Sequence, residues 1–194
     1  MWNKLRTHFG AGGGSADAQS AAASARLAEC VFVRRRQSVR VFPRPEELRT
    51  DMLQVLDLSH NRMIRVPSTL GELRQLRVLD LSDNLLTAMP ALDTMTELLV
   101  LNLGSNWLTV MPSCFNCKQL RCLNVEDNHI STVPKEVASL PKLQELCVSE
   151  NEIVNIHRSV LLYMPTLLVL VANKTNYAQS LLCGYMLPSG FPII

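Results

Sequence analysis

A set of leucines and one asparagine recurs along this chain at a nearly constant interval, and few folds can use such a pattern. With the first leucine as position 1, the unit places apolar residues at positions 1, 4, 6 and 11 and Asn at position 9. The first copy is Leu53, Leu56, Leu58, Asn61 and Met63, and the second is Leu76, Leu79, Leu81, Asn84 and Leu86. Leu98, Leu101, Leu103, Asn106 and Leu108 form the third, followed by Leu120, Leu123, Val125, Asn128 and Ile130. The fifth is Leu143, Leu146, Val148, Asn151 and Ile153. Starts at 53, 76, 98, 120, 143 and 167 are spaced by 23, 22, 22, 23 and 24 residues. Periods of this length mark stacked supersecondary units, none of which buries its apolar face alone.

The internal logic of the unit is physical. Leucines alternating with other residues make a short strand with one face inward. Neighbouring strands then stack into a parallel sheet. The asparagine sits where the chain leaves the strand, where its amide can satisfy backbone groups of its own coil and the next. Apolar–proline pairs (Val66-Pro67, Met89-Pro90, Met111-Pro112, Val133-Pro134) set an extended return path. Leu70, Leu92, Phe115 and Val137 are then expected to close the core from the outer side. Ile156-His157 lacks the proline.

Over residues 29–176 these motifs resemble the leucine-rich-repeat family. Val66-Pro67-Ser68-Thr69-Leu70-Gly71-Glu72-Leu73 is similar to the short intracellular, Ras-group-like class with its L-P-x-x-L-G-x-L turn. The resemblance implies an α/β solenoid, a horseshoe with a short parallel β-sheet on the concave face. Irregular, 3-10 or short-helix segments would make the return. It also implies a non-catalytic protein-interaction module, an adaptor or scaffold.

Both ends depart from the pattern, as capping units do. Residues 29–52 read as a degenerate first coil with Phe32, Val39 and Phe42-Pro43 in frame, Arg34 in a core-leucine position and Gln37 in place of Asn. Residues 53–176 hold five clear repeats and a degenerate sixth, whose Thr175 stands where Asn is expected. The apolar segment 177–194 is expected to fold back over the last coil, with partner coverage or a truncated end as alternatives. Residues 1–28 read as a disordered, basic tail rich in Gly, Ala and Ser. Gly10 to Ser15 has no following Lys and no preceding strand, so it is not a phosphate loop. Trp2, Leu5 and Phe9 fall near one helical face beside Lys4, Arg6 and His8, which keeps a targeting role open.

Composition excludes several classes. The net charge of +2 and 5% aromatic content do not announce a nucleic-acid binder. No run of 18 apolar residues exists to span a membrane. The six cysteines do not flank the repeats, and no apolar leader is apparent. The expected compartment is therefore the cytoplasm, with a mitochondrial or other organellar location as the alternative. Cys114 and Cys117 lack the second ligand pair that structural zinc requires, and His60 and His129 lie three units apart. No metal, cofactor or catalytic constellation is expected, so the chain reads as no enzyme.

The concave face then carries the functional expectation. Its outward positions hold Asp57, His60, Asp80, Asp83, Leu85, Asn102, Ser105, Trp107, Asn124, Glu126, Asp127, His129, Glu145, Glu150 and Glu152. Eight of these are carboxylates. They should attract a protein partner with a basic or donor-rich surface and repel nucleic acid. Trp107 has no leucine position to fill and resembles an interface anchor. The N-terminal 49 residues carry 9 Lys and Arg against 4 Asp and Glu, so charge is polarised along the chain. The competing expectations are a structural subunit of a large organellar or cytoskeletal assembly, or a regulatory subunit of a phosphatase or ubiquitin ligase.

Overall fold

The computed structural model describes residues 30–48, 50–164, 166–167 and 169–172. Seven three-residue strands fall on positions 3 to 5 of successive units: β1 (Val31–Val33), β2 (Val55–Asp57), β3 (Val78–Asp80), β4 (Val100–Asn102), β5 (Cys122–Asn124), β7 (Glu145–Cys147) and β9 (Val169–Val171). They pair in parallel in that order. Leu56, Leu79, Leu101, Leu123, Leu146 and Leu170 stand opposite one another in register. A second, two-stranded sheet pairs β6 (Thr132–Val133) with β8 (Asn155–Ile156). The architecture is the leucine-rich-repeat solenoid that the resemblance implied.

One continuous core runs the length of the stack. Leu53, Leu56, Leu58 and Met63 and their equivalents in later coils are at most 2% exposed through Ile153. A fully buried leucine contributes roughly 2–3 kcal/mol, and each one here packs across a coil boundary, so stability accrues between units.

Unit length selects the return segment. The 23-residue units starting at Leu53 and Leu120 each fit a five-residue 3-10 helix, Ser68–Glu72 and Lys135–Ser139. The 24-residue unit starting at Leu143 fits a single α-helical turn and a half, α1 (Arg158–Leu162). Its first turn is capped by His157, whose Nδ1 accepts from Ser159 N at 3.2 Å. The 22-residue units starting at Leu76 and Leu98 make no helix in their return segments. There the apolar residue that closes the core follows the proline by two residues, not three. Cys114 therefore takes the place of Leu92 and is buried, while Phe115, expected in that role, is only half-buried.

Phe42 and Leu48 are buried in the core. Arg34 does not enter it: its guanidinium lies 4.9 Å over the Phe32 ring and bonds Glu47 Oε2 at 2.8 Å. A cation over an aromatic face shields the end of the apolar stack from water. Expectations for residues 1–28, Thr175 and 177–194 lie outside the described residues. Among the described residues, no helix is long and apolar enough to cross a membrane.

Candidate functional site

Two columns of polar side chains organise the concave face before any partner is considered. The first is the position-9 asparagines, all buried. In Asn106, Nδ2 donates to Leu103 O in its own coil and to Leu81 O in the preceding one, both at 3.0 Å. Its Oδ1 accepts from Leu86 N at 3.0 Å. Asn61, Asn84, Asn128 and Asn151 repeat this arrangement. The bridge therefore runs to the coil before, not to the one after, as the sequence reading had it. It satisfies carbonyls and amides at a turn that water cannot reach.

The second column is position 5, and here the structure corrects the expected exposure. Asp57 and Asp80 are 3% and 1% exposed, and Asn102 is 6%. Each side-chain oxygen accepts the backbone N–H two residues on: Ser59, Ser82, Gly104 and, for Asn124, Glu126. The column is also linked along the stack. Asn102 Nδ2 donates to Asp80 Oδ1 at 3.1 Å, and Asn124 Nδ2 donates to Asn102 Oδ1 at 3.0 Å. Asp57 ends the column by accepting the Arg35 Nε–H at 2.5 Å. Burial alone would raise the Asp57 pKa. The Arg35 guanidinium and the Ser59 hydroxyl and amide outweigh it and hold the carboxyl below its ordinary value. Two of the eight expected carboxylates thus close turns instead of facing solvent.

Position 8 shows what the sequence pattern did not reveal. His60, Asp83, Ser105, Asp127 and Glu150 all have φ between 51° and 56°, in the left-handed region. Arg36 of the first coil shares it, at 54°. A non-glycine residue there pays a steric cost that Asp and Asn tolerate best. The available clue was slight: a short polar residue precedes the Asn in three of the five units, at Asp83, Ser105 and Asp127, but not at His60 or Glu150. This turn throws Asp83, Ser105, Asp127 and Glu150 outward.

Between them opens a polar hollow of about 340 Å³, lined by Ser82, Asn102, Gly104, Ser105, Asn124, Glu126, Asp127 and Glu150. Gly104 helps to make it: a Cβ there would stand 3.1 Å from Asn124 Nδ2, against the position-5 column. Glu126 and Glu145 are half-buried, and Glu152 is exposed.

Position 10 forms an exposed row. Leu85 is 39% and Trp107 58% exposed. The Trp107 and His129 rings meet edge to face, with centroids 6.4 Å apart at 88°. His129 Nδ1 in turn lies 3.0 Å from Glu152 Oε1. A similar inter-coil pair joins His60 Nδ1 to Asp83 Oδ2 at 2.5 Å. The two histidines thus serve separate carboxylates.

Cysteines fill apolar space. Cys114 and Cys117 lie in the main core. Burial pushes the Cys114 thiol up strongly, and that of Cys117 to about 11. Cys122 belongs to a second apolar cluster on the concave sheet, and burial pushes its thiol to about 12. Thiols held so high carry little thiolate at neutral pH. Among the described residues, no three His, Cys, Asp or Glu side chains converge as metal ligands.

Known proteins share this geometry. A family model described as Leucine Rich repeats (2 copies) matches residues 51–94. No curated protein sequence matches significantly. Among solved structures, a leucine-rich-repeat protein of Leptospira interrogans superposes with a TM-score of 0.63 at 22% identity, covering 79% of this chain and 52% of its own. An internalin of Listeria monocytogenes gives 0.61 at 29% identity, covering 71% and 39%. The ectodomain of the Arabidopsis thaliana receptor kinase GASSHO1, solved with Casparian strip integrity factor 2, gives 0.59 at 28% identity, covering 66% and 17%. The chain spans about half the length of the Leptospira protein and less of the other two. The asparagine column, the in-register leucine ladder and these likenesses show the leucine-rich-repeat fold.

Proposed function

We propose that the chain is a non-catalytic interaction module of the short intracellular class, an adaptor or scaffold. It takes a segment of a protein partner along the concave rim, with Trp107 as the anchor. The observation that carries this reading is the row Leu85, Trp107, His129 and Glu152, where an indole 58% exposed is held by its neighbour's ring beside an acid-lined hollow. A large aromatic with one fixed orientation loses little entropy on binding and contributes much contact area. Asp83, Glu126, Asp127 and Glu150 around it favour a partner segment rich in Lys, Arg or backbone donors. The GASSHO1 ectodomain was solved with a bound factor, and a comparable use of the solenoid is what we assign here. The five described cysteines are all free thiols, which suits a reducing compartment such as the cytoplasm.

The test is affinity capture with the full chain, comparing wild type, Trp107→Ala, and a variant with Asp83, Glu126, Asp127 and Glu150 neutralised. The expected result is loss of the same partner from both variants with a Tm within a few degrees of wild type. Equal recovery of every partner by all three proteins would remove the reading.

A further inference from the structure

Positions 8, 10 and 12 line the flank where each coil leaves the sheet. Positions 9 and 11 between them are buried in the five clear repeats, so the three point away from the core. The first coil extends these rows, since Arg36 N donates to Ser59 O as His60 N donates to Ser82 O. Every residue in them is exposed except His60, which is half-buried. Their charge changes sign once along the stack. Arg36 and Arg40 stand in the first coil and Arg62 in the next, and Asp83 follows in the coil after that. Ser105, Trp107 and Thr109 carry no charge, and Asp127, Glu150 and Glu152 close the row. Ile64, Leu85 and Trp107 occupy the middle, 54%, 39% and 58% exposed. An exposed apolar patch rimmed by charge marks a contact surface.

A strip that is basic at one end, apolar in the middle and acidic at the other is complementary to itself turned end for end. We propose that this flank pairs two copies of the chain about a two-fold axis normal to it. Such an axis reverses the order of the coils and also the order of positions 8 to 12. Placed between the units that start at Leu76 and Leu98, it fixes every opposition. Trp107 of each copy meets Leu85 of the other, and Arg40 meets Glu150. Arg62 lands on the His129–Glu152 pair, with Asp127 beside it. Asp83 meets Thr109, so no two carboxylates and no two arginines are opposed. A single basic partner could not match both ends of the strip, whereas a second copy matches both. Six coils at about 4.8 Å and five residues at about 3.3 Å make the strip roughly 29 by 16 Å. That is small for a specific interface, so the dimer should be reversible and form in the micromolar range. It occupies the indole that partner capture also uses, so the two associations compete, but it does not rest on that reading.

Sedimentation velocity of the purified full chain tests the proposal with no partner present. Wild type should pass from monomer to dimer as its concentration rises through the micromolar range, and stop there. One variant carries Arg36→Glu, Arg40→Glu and Arg62→Glu, and the other carries Asp127→Arg, Glu150→Arg and Glu152→Arg. Position 8 accepts arginine, since Arg36 already stands there at φ 54°. Each variant alone opposes like charges at both ends of the pair and should self-associate at least tenfold more weakly than wild type. Mixed one to one, they should form a heterodimer, because every opposed pair regains opposite signs. A mixture that stays monomeric overturns the proposal, and so do variants that self-associate as well as wild type. Wild type that stays monomeric up to about 200 µM leaves the flank to another protein and overturns it. Growth beyond the dimer means a head-to-tail contact and also overturns it. If a variant does not fold, wild type decides alone. Its dimer should weaken at least fivefold between low salt and about 0.5 M NaCl, and a salt-independent dimer overturns the proposal. Failure here leaves capture through Trp107 untouched, and failed capture leaves these results untouched.

Discussion

Position 9 is Asn in all five units and position 5 is Asp or Asn in four of them, yet the two columns do different work. An asparagine at position 9 reaches backbone on both sides of a coil boundary. A side chain at position 5 first serves its own coil, by taking the amide two residues on. The first task needs a donor and an acceptor on one rigid head, which only an amide supplies. The second needs only an acceptor, so Asp and Asn interchange there, and the resulting aspartates are structural although they count as acid in the sequence. Acidity along a repeat surface is informative only after this turn chemistry is set aside.

The largest expected effect therefore lies in the asparagine column. Asn106→Ala leaves Leu86 N without its acceptor and takes one of two side-chain donors from each of the Leu81 and Leu103 carbonyls, which keep Asn84 Nδ2 and Asn128 Nδ2. One uncompensated buried amide costs about 1–3 kcal/mol, a sizeable share of the total stability of a domain this size. Urea unfolding measures the loss, and Asn106→Asp should recover little of it. One carboxylate oxygen can accept from Leu86 N, but the other then faces the Leu81 and Leu103 carbonyls with no proton between them. A loss below about 1 kcal/mol would place both columns on the same footing.

Much of this was readable beforehand, and the reason is locality. Strand positions follow from the alternation of Leu56 and Leu58 and its copies, so the seven strands fall on the expected frame. The misreadings share one cause, in that each depended on a distance across the stack or on unit length. Phe115 aligns with Val137 only if all units are equally long; in a 22-residue unit the core slot moves one place to Cys114. Asp57 and Asp80 alternate outward as period 2 demands, but whether such a residue stays wet depends on the amide of Ser59 or Ser82 folding back onto it. The left-handed backbone of position 8 leaves almost no trace in residue type, because His, Ser and Glu stand there as well as Asp.

The end of the position-5 column offers a pH test of intermediate size. With Arg35 in place, the folded pKa of Asp57 lies below its unfolded value, near 3.9. The folded state then binds fewer protons than the unfolded one, so the contribution is complete above about pH 4 and fades as pH falls through the folded value. Arg35→Met removes the cation and leaves burial opposed only by the Ser59 hydroxyl and amide, which moves the folded pKa up from its wild-type position. The variant should lose about 1–2 kcal/mol at pH 7, a figure reduced from that of a fully buried pair because a third of the guanidinium is exposed. The gap to wild type should narrow as pH falls below 4 and Asp57 takes up a proton in both. Urea midpoints from pH 3 to 7 give the curve. A gap independent of pH would mean that Arg35 acts by packing alone.

The smallest effect separates charge from backbone at position 8. Asp83 is exposed, pairs with His60 across one coil boundary and has φ 52°. Asp83→Asn removes the charge but keeps a side chain that tolerates the left-handed region, so stability should change by less than about 0.5 kcal/mol. Asp83→Val also removes the charge, but sets a β-branched residue at positive φ, and should lose about 1–2 kcal/mol. Thermal unfolding of the pair measures both. That ordering would mean the turn constrains which shapes position 8 accepts but not its charge, leaving Asp83, Asp127 and Glu150 selectable for recognition. If Asp83→Asn instead costs as much as Asp83→Val, the carboxylate itself holds the turn, and position 8 joins position 5 among the columns whose acidity is structural.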